Sequence, residues 1–364
     1  MVPAVTERPS ILVIGAGIIG AAIAYHLAKG GARVTILDGA EPGGIATRHS
    51  WAWINASWGN PEPYFRLRHR AMAEWRDLAG AIPALQLDWS GGLIWDLPPD
   101  ELEAYATQHA AWGYGIRRVG AAAARAIEPS LRRPPDFALH VAEEGAVDPV
   151  AAAQAMLTAA QGHGAELRRE TVRALETKAG RISGIVTDRG GLGADLVVLA
   201  AGAATATLAG SAGVHVPMSA PPGLLVVTKP HDRLLKGLVM APEMHVRQMR
   251  DGSLIAGADF GGSEPGADAA ATARQVFAGL QELVTGGEAL TFDHYMIGHR
   301  PLPADGFPIV GATAAAPGLY LAVTHSGVTL APAIGRFTAA EILDNARDPL
   351  LAPYGPARFA GRAA

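Results

Sequence analysis

The sequence predicts a mixed α/β protein: one domain built on a parallel sheet that the chain enters three times, and a second, β-rich α+β domain formed in the intervals. Three observations lead there. The first 38 residues hold a short apolar run, a glycine turn, a helix of small residues and a second apolar run. Asp195-Leu196-Val197-Val198-Leu199-Ala200-Ala201-Gly202-Ala203 is a later hydrophobic run with a small-residue end. From Gly318 onward the order of apolar run, turn and helix returns a last time.

Taken in order, Ile11 to Ile14 reads as a buried strand, and Ala21 to Lys29 carries the small and apolar residues of a packed helix that Gly30-Gly31 ends. Arg33 to Asp38 makes a second strand closed by an acid. Between them, Gly15-Ala16-Gly17-Ile18-Ile19-Gly20 supplies Gly15 for a tight turn, Gly17 for close approach of the backbone to a pyrophosphate, and Gly20 for close packing of helix on strand. The helix start at Ile18 and Ile19 offers free N–H groups and a positive dipole end. Asp38 can accept from ribose hydroxyls. Together these parts form a Rossmann-like fingerprint for a dinucleotide, and FAD and NAD both present the adenosine diphosphate half it reads.

The next segment favours the longer cofactor. An NAD enzyme commonly turns into another helix after its second strand, whereas Gly43-Gly44-Ile45-Ala46-Thr47-Arg48-His49-Ser50 is a polar segment able to run along an extended FAD. Its backbone N–H groups, the Thr47 and Ser50 hydroxyls and Arg48 suit phosphate or ribityl oxygens.

Composition narrows the remaining classes. With 364 residues, 49% hydrophobic and 18% charged, the chain has core material for two domains. A net charge of −4 without a long block of one sign gives no electrostatic draw for nucleic acid or an anionic membrane. The lack of cysteine excludes disulfides, thiolate catalysis, Cys-ligated zinc and a flavin tethered through sulfur, and no metal site is expected. MVPAVTERPS has no apolar signal core and no run approaches a membrane span, so a cytoplasmic location is expected.

Four later motifs complete a pattern. Gly145-Ala146-Val147-Asp148-Pro149 starts a helix over Val150 to Gln161, with Asp148 as cap and Pro149 at its first position. The Asp195–Ala203 run, the segment Gly298 to Gly311 (GHRPLPADGFPIVG) and the segment Gly318 to Ala333 (GLYLAVTHSGVTLAPA) come after it. With the first two glycine segments, this ordered set resembles the FAD-dependent oxidoreductases grouped with D-amino acid oxidase, glycine oxidase and monomeric sarcosine oxidase. The likeness spans almost the whole chain. It implies that FAD is bound without a covalent link by Gly15, Gly17, Ile18, Ile19, Gly20, Asp38, Gly44, Thr47, Arg48, His49, Ser50, Val172, Ala201, Gly202, Arg300, Ser326, Gly327, Val328 and Thr329. Three departures stand out: Asp38 where the family more often has glutamate, Thr324 where a glycine usually precedes the histidine, and the absent cysteine. His49 lies near where some relatives attach flavin, and reads here as a hydrogen-bonding loop residue.

The resemblance also implies that Arg300 holds a substrate carboxylate through a two-pronged ion pair. A strand over Met296 to Arg300 puts Met296, Gly298 and Arg300 on one face and His299 on the other. His325 and His245 are candidate proton or orientation groups, with Tyr295, and His245, Arg247 and Met249 share a face if they lie on a strand. The expected reaction is oxidation of the C–N bond of an amine or amino acid to an imine, with oxygen or another acceptor reoxidising the flavin. An NAD-dependent dehydrogenase and a non-catalytic flavin-binding subunit are the alternatives.

Three tryptophans stand near the second glycine segment. Trp51 and Trp53 alternate, so an extended segment aims both at the cofactor or pocket wall, while Trp58 belongs to the approach to the next helix. In that helix Tyr64, Leu67, Ala71, Met72, Trp75 and Leu78 are core at helical spacing, and Arg66, Arg68, His69 and Arg70 read as a solvated face. A final helix over Thr329 to Leu343 is expected to break early at Pro332, and PYGPARFAGRAA to be a loose tail. The domain boundaries read as 1–80, 146–215 and 305–364 for the FAD-binding domain, with 81–145 and 216–304 as the substrate domain.

Overall fold

The computed structural model describes residues 8–57, 59–259 and 262–359. A six-stranded sheet carries the order Ile309–Ala312, Leu319–Val323, Leu196–Leu199, Ser10–Ile14, Arg33–Leu37, Glu166–Arg168. Its neighbours are parallel except the first pair. Ser10–Ile14 lies in the middle, paired through Ile14 with Leu37 on one side and Leu199 on the other. Layers cover both faces, which is why its sequence is continuously apolar rather than alternating. The helices Ile18–Lys29, Pro149–Gly162 and Gly327–Asp344 pack together over this sheet. Asp148 caps the second of these through hydrogen bonds from the Val150 and Ala151 N–H groups, both 2.9 Å, as its sequence predicts.

An eight-stranded, largely antiparallel sheet forms the second layer system, running from Phe292–His299 through Pro222–Thr228, Leu254–Gly257, Met244–Gln248, Leu238–Ala241, Gly92–Ile94 and Phe137–Val141 to Ile116–Gly120. A small sheet of Trp53–Ile54, Gly145–Val147 and Leu87–Asp88 lies beside it. Among the described residues no helix is long and apolar enough to cross a membrane.

Three expectations need correction, and one falls outside the described residues. The helix Glu62–Ala81 does not present all its basic residues to solvent: Arg66 and Arg70 are exposed, but Arg68 is 8% exposed and His69 is half-buried, stacked on Phe65. Spacing explains the split, because 64, 68, 71 and 75 recur on one helical face. The chain end through Phe359 is not loose, since it makes two 3-10 turns, Tyr354 is buried against Tyr64 and Phe307, and Arg358 pairs with Asp305 at 2.7 Å. Trp58 lies outside the described residues.

The third correction concerns Pro332. Helix Gly327–Asp344 continues straight through it. A proline in a helix leaves the carbonyl four residues earlier without its N–H partner, and that carbonyl belongs to Val328. The Trp75 indole N–H donates to it at 3.0 Å. A side chain from the neighbouring helix thus replaces the missing backbone bond. Trp75→Phe is expected to lower stability by about 1–3 kcal/mol, the cost of a buried carbonyl left unsatisfied. In a Pro332→Ala background the same change costs less, because the new N–H reaches Val328; equal costs in both backgrounds, measured by denaturant unfolding, exclude this account.

Candidate active site

A cavity of about 650 Å³ lies between the two large sheets. Its first end is the glycine turn. Gly15 has φ of +106°, and a Cβ there would meet the Ala200 carbonyl oxygen at 2.4 Å, so strand Leu196–Leu199 is followed by chain that runs against a bare glycine. A Cβ at Gly20 would lie 1.8 Å from the Gly15 oxygen, and Gly20 acts through this close packing, not from the cavity wall. The Asp38 carboxylate accepts from Ala16 N–H at 2.8 Å and from Ala40 N–H at 2.9 Å. Thr47 Oγ1 accepts from Ile18 N–H at 3.2 Å. Asp38 and Thr47 therefore set the turn as well as line the cavity. Gly17, the helix N-cap, has no side chain to cover the helix start.

The second glycine segment makes one helical turn, Ile45–Arg48. Gly44, Thr47, His49 and Ser50 line the cavity. Arg48 does not: its guanidinium turns back to the Gly44 oxygen at 3.1 Å. His49 Nδ1 lies 2.7 Å from the Ile45 oxygen, and Gly298 packs on its side chain.

The tryptophans form the next stretch of wall. Ala52 has φ of 61°, so Trp51 and Trp53 do not meet by simple alternation; their rings contact edge to face at 5.9 Å around a left-handed residue. That backbone is held on three sides. The Ser50 hydroxyl accepts from Ala52 N–H at 3.0 Å, buried Arg247 donates to the Trp51 oxygen at 2.7 Å, and the Trp51 indole donates to the Ile255 oxygen at 3.2 Å. Trp51 and Trp53 are both nearly closed to solvent and both line the cavity.

The far end gathers the last motifs. Ser326, Gly327, Val328 and Thr329 line it where helix Gly327–Asp344 begins with no side-chain cap. Thr329 donates to the Trp53 oxygen at 3.0 Å, tying that helix to the tryptophan strand. His325, His299 and Arg300 share the cavity, and His299 joins Arg300 there because regular strand ends at His299. Arg300 Nε is buried with no hydrogen-bond partner among the described residues, and its Nη2 lies 3.5 Å from the Pro222 oxygen. Burial first, then Arg300 and Arg68, push His325 down to about 4, so its ring is neutral at physiological pH. Val172, Ala201 and Gly202 also line the wall. His245 is not brought in: it sits outside the cavity, 2.8 Å from Asp96, with its ring against Trp51.

Two residues absent from the sequence-based site matter here. Arg68 lines the cavity and donates to Ser326 Oγ at 2.6 Å, to the Asn55 oxygen at 3.2 Å and to Asn55 Oδ1. Glu144, fully buried behind the wall, accepts from Trp53 Nε1 at 2.9 Å, Ser57 Oγ at 2.8 Å and the Tyr114 hydroxyl. The helical spacing carried a signal for Arg68; nothing local in the sequence marked Glu144.

Fold and site together define a dinucleotide-binding oxidoreductase: two helix starts face one cavity, one suited to a pyrophosphate and the other to negative charge on a ring. The family described as FAD dependent oxidoreductase (DAO) matches residues 10–341, and the chain belongs to it. The cofactor is therefore FAD, not NAD. The glycine oxidase of Pseudomonas aeruginosa is 29% identical over 95% of this chain and 98% of its own length. The fold is shared with L-proline dehydrogenase from P. horikoshii, at a TM-score of 0.87, 23% identity and coverage of 97% and 98%. Glycine oxidase from Geobacillus kaustophilus also superposes at 0.87, with 24% identity and coverage of 98% and 100%.

Burial raises the Glu144 carboxyl from 4.5 to about 7, against the pull of Tyr114, Ser57, Trp53 and Arg68. Between those values the folded protein holds a proton that the unfolded chain releases. The contribution of this group to stability is thus full below about 4.5 and declines as pH rises to about 7. Glu144→Gln is expected to remove a decline on the order of 2–3 kcal/mol across that window. Unfolding titrations over the same pH range check it, and an unchanged slope in the variant assigns the decline to another group.

Proposed function

We infer that this protein oxidises the C–N bond of an amino acid or a related amine that bears a carboxylate. The observation that carries this reading is Arg300, a guanidinium that lines the same cavity as the glycine turn and whose buried Nε–H has no hydrogen-bond partner among the described residues. Such a fork suits a planar carboxylate and fixes the bonds next to it. FAD, when bound, supplies the two-electron acceptor that takes hydride from the substrate α-carbon, leaving an imine that water hydrolyses. Gly17, Ile18 and Ile19 would hold its pyrophosphate, Asp38 its ribose, and Ser326 to Thr329 the polar edge of its ring. The Trp51–Ala52–Trp53 wall, fixed by Arg247 and Ser50, excludes water from the reacting end.

The chain's own groups have limited acid–base capacity there. His325, held near 4, is too weak a base to retain an ammonium proton at neutral pH, though its neutral ring can accept a hydrogen bond from a substrate N–H. The substrate amine therefore reacts in its neutral form, having lost its proton to solvent. No lysine lines the cavity among the described residues, and the final acceptor is oxygen or another oxidant. Catalysis, rather than a purely structural flavin-binding role, is supported by the match to named oxidoreductases along nearly the full chain.

Arg300→Ala is expected to retain FAD and to lower kcat/KM for carboxylate-bearing substrates by about 10²-fold or more, the scale of losing one partner of a buried charged pair. The first experiment is anaerobic addition of an amino acid panel to the purified protein while flavin absorbance is followed. Bleaching by a carboxylate-bearing amine in the wild type that survives undiminished in Arg300→Ala overturns the anchor. Acid precipitation is expected to release all the FAD into the supernatant; colour retained in the pellet identifies a covalent link at His49 or elsewhere.

A further inference from the structure

We propose that Arg68 is a second anion anchor facing Arg300, and that the substrate is accordingly an amino acid or related amine carrying two carboxylates. This rests on the carboxylate reading of Arg300. Arg68 reaches the cavity because it lies on the buried face of helix Glu62–Ala81, four residues after Tyr64 and seven before Trp75, both closed to solvent. Its partners are neutral: the Asn55 carbonyl, the Asn55 side-chain oxygen and the Ser326 hydroxyl. Those three bonds leave two of the five guanidinium N–H groups free among the described residues.

Charge makes the same point. Neither Arg68 nor Arg300 has a carboxylate within ion-pair distance among the described residues. Glu144 interacts electrostatically with Arg68, yet it is already shared by three donors and its burial favours the neutral form. The two cations are close enough that both depress the basicity of His325, which lies in the same end of the cavity. Arg68 is buried and Arg300 half-buried with its Nε closed off; a cation withdrawn from water without a counter-charge is costly, and one carboxylate compensates only one of them. A ligand with two carboxylates compensates both, its amine-bearing carbon lying in the end of the cavity that the two arginines and His325 share.

The test uses the FAD-loaded protein and ligands that have no amine to oxidise. Malonate, succinate and glutarate are titrated by calorimetry beside propionate, butyrate and pentanoate. At least one dicarboxylate is expected to bind about tenfold or more tightly than the best monocarboxylate, and this preference is expected to fall to about threefold or less in Arg68→Met. Arg300→Met is expected to weaken both classes. Equal binding of the two classes in the wild type, or a preference that survives in Arg68→Met, overturns the second anchor while leaving Arg300 in place; that result assigns Arg68 to the flavin edge or to the Asn55 and Ser326 contacts alone. Monocarboxylate binding that is indifferent to Arg300→Met removes the reading beneath. Should Arg68→Met fail to fold, the wild-type comparison still decides, and Arg68→Lys retains the charge while losing the fork.

Discussion

The packing of helix Ile18–Lys29 against helix Gly327–Asp344 is the contact on which the site depends. Residues from opposite ends of the chain meet there, and each helix begins at the cavity behind an N-cap residue that makes no side-chain cap bond, with Thr47 Oγ1 bonded to the Ile18 N–H of the first. The apposition fixes two positive dipole ends on one elongated space. Small residues make the approach possible: Ala21, Ala22 and Ala24 are closed to solvent on one helix, and Ala331, Ala333 and Gly335 lie in the other. Pro332 within this seam is tolerated only because Trp75 supplies the N–H that proline lacks.

Around that seam the wall is held by polar bonds made inside the protein. Arg247 is buried and donates to the Trp51 and Val147 carbonyls, so a charged group is spent on fixing backbone. Burial lowers its pKa to about 10, which still leaves it charged at neutral pH. Ala52 keeps its left-handed backbone because Ser50, Arg247 and the Val147 N–H hold the peptides on each side. Strained residues persist where their surroundings over-determine them, and such places are commonly functional sites. Here the strain turns two indoles toward one cavity.

What could be read from the sequence was what local chemistry dictates. The glycine turn, the strand before it and the Asp148–Pro149 helix start each depend on residues within a few positions of one another, and each is present as expected. Features that failed depend on distant partners or on a local turn that the composition did not mark. Arg48 and Thr47 are adjacent and equally polar, yet one turns outward because the single helical turn at Ile45–Arg48 points its side chain back to Gly44. His245 shares a strand with Arg247 but is taken by Asp96, far away in sequence. Glu144 gains its place only from Trp53, Ser57 and Tyr114, which no sequence spacing connects. For Arg68 the position was legible and the charge misled: its spacing from Tyr64 and Trp75 marked a buried face, while its neighbours Arg66 and Arg70 suggested a solvated one.

The distribution of charge along the cavity is set by these placements. At the turn end the carboxylate of Asp38 stands beside a bare helix start, an arrangement that accepts hydroxyls and tolerates a pyrophosphate. Elsewhere on the wall two guanidinium groups and a second helix start accompany a neutral imidazole, with the Glu144 carboxyl behind the wall held toward its protonated form. A protein of net charge −4 thus gathers positive charge on one part of its cavity wall. Low-dielectric walls such as the Trp51–Trp53 pair strengthen the resulting potential by keeping water from screening it. Burial does most to keep His325 from carrying a proton, and the two guanidinium groups add to it, so the cations that would suit an anionic ligand also weaken the one base beside them.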